Sequence, residues 1–128
     1  MDIDDFKVVN DRFGHSSGDT LLRLVAETMK HNSRAVDVIA RVGDDEFVIL
    51  FPETGPGPAH VVSQKLQERL LDIVQQDGWS VTFGIGVITF VSPPSTVDEI
   101  IRIADRLMYS AKKSGKNGIR HEQEWDQA

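Results

Sequence analysis

Arg41-Val42-Gly43-Asp44-Asp45-Glu46-Phe47, running into Val48-Ile49-Leu50-Phe51, is the stretch on which the fold turns. Apolar, β-branched residues lie on each side of a Gly-Asp pair. Val36 to Val42 and Glu46 to Phe51 therefore read as strands of a hairpin, joined by a two-residue turn at Gly43-Asp44. Three consecutive acids stand where the returning strand begins. A second acidic run, Asp2-Ile3-Asp4-Asp5, lies far away in sequence. Two carboxylate clusters that a sheet can bring together suggest a divalent-cation site of the kind that handles nucleotides. A polar hairpin tip is the other reading of the same acids.

Around the hairpin the chain alternates helical and extended patterns. Phe6, Val9 and Phe13 stand at helical spacing, and Gly14 with the polar stretch His15 to Asp19 is expected to break that helix. Leu21, Leu22, Leu24, Val25, Thr28 and Met29 trace one side of an amphipathic helix, with Asp19 as its cap and Asn32-Ser33 as its end. Pro52 to Pro58 reads as a loop. A second amphipathic helix carries Val61 to Val74 and stops at Gly78. Trp79 to Val91 alternates as a strand, and Val97 to Ala111 is a third amphipathic helix. Lys112 to Gly118 is a basic turn, Ile119-Arg120-His121 a last short strand, and the tail after Glu122 is expected to fray. Helices that alternate with strands around one hairpin fit an α/β (α+β) fold with a ferredoxin-like, split βαβ core and a mixed central sheet flanked by helices.

Composition narrows the function. With 128 residues the chain is one domain that can bury one core. It has no cysteine, which excludes a disulfide framework and thiolate chemistry. No apolar run approaches the roughly 20 residues of a membrane span, so no membrane insertion is expected. The net charge of −6 argues against a nonspecific nucleic-acid binder. A cytoplasmic module is the default.

Four stretches, in order and spanning almost the whole chain, resemble the GGDEF domain of diguanylate cyclases. They are residues 2–19, from Asp2-Ile3-Asp4-Asp5-Phe6-Lys7 to Gly18-Asp19, then Arg41 to Phe47, Val81 to Val87, and Ala104 to Asn117. The resemblance implies a nucleotidyl-cyclase-like fold. It also implies condensation of two GTP molecules into cyclic di-GMP, in bacteria, by a homodimer of which each copy supplies half the site. Asp2, the Ile3 carbonyl and Asp45 are the implied ligands of Mg2+ or Mn2+, with Asp45 and Glu46 as catalytic carboxylates. Asn10 and Asp19 match the positions that read guanine, and the chemistry fits, since a carboxylate accepts from guanine N1–H and the N2 amine. Capping by Asp19 is compatible with that role. Lys7 and Lys112 match phosphate-binding lysines, helped by the backbone amides of Phe6 and Lys7. Lys116 stands where the family has Arg, keeping the charge and losing the bidentate fork. Arg34 and Asp37 match the R-x-x-D motif of an inhibitory cyclic di-GMP site; a surface ion pair is the plainer account of the same pair.

Three further features read as structural. Gly84 and Gly86 lie in a strand pattern and signal close backbone approach, not a phosphate loop. His15 reads as a hydrogen bonder, and Tyr109 as a packing residue.

The chain departs from the family pattern in two ways. Asp44 replaces the second glycine of the signature, adding bulk and negative charge where a triphosphate is expected. The helix with a D-x-L-T-G-L-x-N-R pattern and the apolar strand that precede the first acidic run in the family are missing. The chain is therefore expected to be a fragment or to have a misplaced start, with neighbouring strands left partly unpaired. It is also expected to belong to a larger sensor protein. Three functions remain in view: an impaired cyclase, an inactive receptor for guanine nucleotides or cyclic di-GMP, and a dimerisation scaffold.

Overall fold

The computed structural model describes residues 1–113 and 115–124, the last four by backbone alone. Its elements are β1 (Asp2–Asp4), α1 (Phe6–Phe13), α2 (His15–His31), β2 (Val38–Arg41), β3 (Phe47–Leu50), α3 (Pro56–Gln76), β4 (Thr82–Phe90), α4 (Val97–Lys113) and β5 (Ile119–Glu124). β1 pairs with β4 antiparallel, setting Asp2 opposite Gly84 and Asp4 opposite Thr82. β4 pairs with β5 in parallel. β2 and β3 form the expected antiparallel hairpin.

An antiparallel bridge between Asp2 and Glu46 joins the hairpin to β1. Ile3 N–H donates to the Asp45 carbonyl at 3.1 Å, and Phe47 N–H to the Met1 carbonyl at 2.8 Å. The strands thus form one mixed layer in the order β2-β3-β1-β4-β5, with the first acidic run on its central strand.

Helices cover both faces of β4. Phe83, Ile85 and Val87 point to one side, where Phe83 joins Leu66, Leu70 and Val74 of α3 and Leu21, Val25 and Met29 of α2 in the core. The i, i+3, i+4 spacing of those helical residues makes the apolar stripe that pays for ordering them. Gly84 and Gly86 face α4. A Cβ on Gly86 would lie 3.0 Å from Leu107 Cβ and 3.1 Å from the Met108 amide nitrogen, so the glycine pattern does mark close approach of a helix to the strand. β1 covers only Thr82 to Gly84 of β4. Past Met1 an apolar groove of about 580 Å3 runs between β3 and the rest of β4.

Several local expectations are corrected. The hairpin loop has three residues: Val42 N–H donates to the Glu46 carbonyl at 3.0 Å, leaving Gly43, Asp44 and Asp45 in the loop. Arg41 sets this length, its Nε donating to the Gly43 carbonyl at 2.9 Å and its Nη2 to the Asp44 carbonyl at 3.0 Å. α2 begins at His15 behind Gly14, which takes up a φ of 89° that suits glycine, so Asp19 lies within the helix and is not its cap. α3 begins at Pro56, because a proline in the first turn lacks an N–H where the helix needs none. Lys112 belongs to the last turn of α4 rather than to a loop. Tyr109 is 62% exposed, with the Lys113 ammonium 4.9 Å from its ring centre, and does not pack inside. β5 continues to Glu124, and the rest of the tail lies outside the described residues.

Candidate active site

The site is built where β1 meets the hairpin loop. Residues two apart on a strand share a face, so Asp2 and Asp4 both point toward α4, and both are buried. Asp2 Oδ2 forms an ion pair with the Lys112 ammonium, while Asp2 Oδ1 is buried without a hydrogen-bond partner. The Asp45 carboxyl lies close to Asp2. Burial first, and then that contact and the Asp2 charge, push Asp45 up to about 6. Glu46 is also raised, first by burial and then by a hydrogen bond to Asp105 of α4. Lys112 is raised by its hydrogen bond to Asp2.

These carboxylates are crowded beyond what one lysine neutralises. Among the described residues, no three His, Asp or Glu side chains form a ready-made metal cage. Mg2+ does not need one: it is commonly held by one or two carboxylates with water and substrate phosphates completing the shell. An unpartnered buried carboxylate oxygen, and a second carboxyl whose ionisation burial and the Asp2 charge make costly, fit such a cation. Asp2 and Asp45 are brought together as the sequence suggested. The Ile3 N–H donates to the Asp45 carbonyl, which sets the Ile3 backbone against the hairpin loop.

The guanine candidates meet on α1 and α2. Gly18 is buried against α1: a Cβ there would overlap Asn10 Oδ1 and stand 3.3 Å from Phe6 Cζ. That close approach sets half-buried Asn10 beside exposed Asp19. α1 begins after Asp5, a non-glycine residue at φ 64°, with no side chain capping the helix, so the amides of Phe6 and Lys7 have no side-chain cap. Lys7 is exposed. Lys116 pairs with Asp5 at 2.8 Å.

Arg34 and Asp37 lie apart from this site, where α2 leads into β2. Arg34 donates from Nε and Nη2 to Asp37 Oδ1, at 3.0 and 2.7 Å, and its backbone N–H donates to Asp37 Oδ2 at 2.7 Å. Nη2 also reaches the Pro52 carbonyl at 3.1 Å and Thr54 Oγ1 at 3.0 Å. The Arg34 hydrogen bond holds Asp37 below the usual carboxylate range. The pair borders a small cavity of about 230 Å3 with Phe51, Glu53 and Pro58.

Sequence reasoning missed Asp4, Thr82, Gln67, Asn117 and Asp105. The two-residue spacing of Asp2 and Asp4 was the available signal, since it puts both on one strand face.

A mixed sheet clasped by helices, with paired carboxylates on its central strand, defines a nucleotidyl-cyclase-like domain. The chain belongs to the GGDEF family, described as diguanylate cyclase, GGDEF domain, which matches residues 1–118. It is 42% identical over 120 residues to the bifunctional diguanylate cyclase/cyclic di-GMP phosphodiesterase MucR of Pseudomonas aeruginosa, covering 92% of this chain and 18% of MucR. The curated relatives are longer, and the chain spans 15% of one and 34% of another. The crystal structure of diguanylate cyclase SiaD with its activator SiaC, from the same organism, superposes with a TM-score of 0.77 at 32% identity, covering 98% of this chain and 47% of SiaD. The GGDEF domain of DgcB from Caulobacter crescentus, in complex with c-di-GMP, superposes at 0.72 with 27% identity, covering 93% and 72%. No described helix is long and apolar enough to cross a membrane.

Proposed function

We propose that this domain binds GTP with Mg2+ or Mn2+ and, as a homodimer, condenses two GTP into cyclic di-GMP. The observation that carries the reading is the buried, unpartnered Asp2 Oδ1 beside the Asp45 carboxyl. Asp2, the Ile3 carbonyl and Asp45 would hold the cation. When bound, it neutralises phosphate oxygens and eases deprotonation of the attacking hydroxyl.

The chain's own groups do the rest. Asn10 and Asp19 hold the guanine edge and so fix the base. Lys7, Lys112 and Lys116, with the α1 amides of Phe6 and Lys7, take the phosphates. Lys112 already lies against Asp2, so it can turn to a phosphate oxygen once the acid gains another counter-charge. Glu46 stands beside the reacting groups. With two copies face to face, the 3′-hydroxyl of each nucleotide attacks the α-phosphate of the other, and pyrophosphate leaves.

Asp44 favours a second reading, an inactive receptor. The residue is exposed and is not among those with a positive φ, so the loop backbone accepts a side chain without strain. Its cost therefore falls on the nucleotide, through charge and bulk. Incubation with GTP and Mg2+, followed by product analysis, tests both readings on the parent and on Asp44→Gly. Removing the side chain should raise cyclic di-GMP formation at least about tenfold, equivalent to 1.4 kcal/mol. Equal inactivity of both proteins would move the defect from Asp44 to another position such as Lys116, and a fully active parent would dismiss the argument from charge and bulk.

A further inference from the structure

We propose that Asp4, acting through Asn117, positions the loop that carries Lys116 and follows Lys112, the two phosphate-binding lysines at this end of α4. This rests on the reading of Lys112 and Lys116 given above and adds a role that no motif assigns. Asp4 is buried, and its Oδ2 accepts from Thr82 Oγ1 at 2.7 Å and from Asn117 N–H at 2.8 Å. Asn117 lies between α4 and β5 and adopts φ 61°. Its Oδ1 accepts from Phe83 N–H at 3.3 Å and from Gln67 Nε2 at 3.2 Å, and its carbonyl accepts from Gln67 Nε2 at 3.0 Å. Gln67 also donates to the Phe83 carbonyl at 3.0 Å. One residue is thereby tied to β1, β4 and α3 together.

The loop needs such an anchor. Gly115, at φ 114°, and Gly118 have no side chains that could fix the turn by packing. Lys112 precedes the loop and meets Asp2, and Lys116 lies within it and meets Asp5. Along the first acidic run, Asp2 is matched by Lys112, Asp4 by the Asn117 backbone and Asp5 by Lys116. Several bonds converging on one residue, with buried Asp4 at their base, hold that residue in place. Asp4 thus differs from Asp2 in kind: Oδ2 of Asp4 is taken by two protein donors, whereas Oδ1 of Asp2 has none.

The test is calorimetry in Mg2+ buffer with inorganic tripolyphosphate and with GTP, alongside thermal unfolding. Asn117→Gly keeps the backbone conformation and the N–H bond to Asp4, and removes the side-chain links to Phe83 and Gln67. It should weaken tripolyphosphate binding at least tenfold, as should Lys112→Ala and Lys116→Ala. Asp4→Ala should do the same, and Asp4→Asn, whose amide oxygen can still accept both bonds, should restore most of the affinity. In the Asn117 variant the ratio of GTP to ATP affinity should stay at the parent's value, which general loosening of the fold would not preserve. Tripolyphosphate binding without GTP binding by the parent would remove the guanine reading and leave the positioning role standing. Parent-like tripolyphosphate affinity in folded Asp4→Ala, or no tripolyphosphate binding by the folded parent, would overturn it.

Discussion

The acidic centre around Asp2 and the Arg34–Asp37 corner hold the same kinds of charge in opposite states. At Arg34 every carboxylate lone-pair direction in use is met within the protein. Asp37 takes three hydrogen bonds from Arg34, and its side chain is only 2% exposed. At the centre, Asp2, Asp45 and Glu46 gather with too little positive charge, one buried oxygen has no partner, and Asp45 and Glu46 are raised rather than lowered. A satisfied pair resists a ligand, since binding must first break its bonds. A frustrated cluster is stabilised by one. A cation at the first site would break no bond, whereas any ligand that uses the Arg34 fork at the second would first have to open the pair.

The contrast is broken most severely at Asp45. Asp45→Asn should lower any cyclase activity at least about a hundredfold, or roughly 2.7 kcal/mol. In cation-free buffer near neutral pH the same variant should unfold at a higher temperature than the parent, because a neutral amide ends the repulsion with Asp2. A lower midpoint would show that the cluster is balanced after all.

Next in size is the base. Asp19→Ala should weaken GTP binding by about 1–3 kcal/mol, the cost of leaving charged hydrogen bonds unmade. ATP should lose less, since adenine lacks the paired donors. Because Asp19 is not the α2 cap, the thermal midpoint should barely move. Equal losses for the two nucleotides would detach Asp19 from guanine.

A smaller effect should appear in the pH dependence of cation binding. Asp45 titrates near 6 when folded, above the ordinary 3.8 of an aspartate. Its contribution to stability is thus fully present below the unfolded value and is lost as pH rises through about 6. A cation replaces the proton that is lost. Mg2+ should raise the thermal midpoint clearly above pH 7 and little at pH 5, where it must displace that proton. Stabilisation that is the same at both values would place the cation elsewhere.

The smallest expected shift belongs to the satisfied corner. Arg34 is an exposed partner, and Arg34→Ala should change the thermal midpoint only slightly. Cyclic di-GMP binding, measured by calorimetry, should nonetheless disappear while GTP binding persists. Persistent cyclic di-GMP binding in this variant would reduce the pair to a clasp between α2 and the Pro52–Thr54 segment.

Much of this was legible along the chain. The helical stripes of α2, α3 and α4, the hairpin, and the glycines of β4 all follow from short repeats, and the structure places them where their periods indicate. Boundaries were less legible. The chain enters α2 at His15 through a polar stretch that resembles a break, and α3 through prolines that resemble a loop. Each of those residues has two local meanings, and packing of the later apolar face decides between them. The hairpin loop gained a residue for a similar reason. Arg41 closes it by binding two carbonyls, a preference that the Gly-Asp pair does not express.

By itself, the sequence determined which residues could carry charge, guanine contacts and phosphate contacts, and the order of helices and strands, because these depend on residue chemistry and on periods of a few positions. Only the tertiary structure decided how the charges pair. Lys112 meets Asp2, Asn117 meets Asp4 and Lys116 meets Asp5 across more than a hundred residues of chain, while Asp2 Oδ1 is left alone. Such pairings depend on where the sheet register and the α4 crossing place two distant segments, and no local pattern encodes that distance.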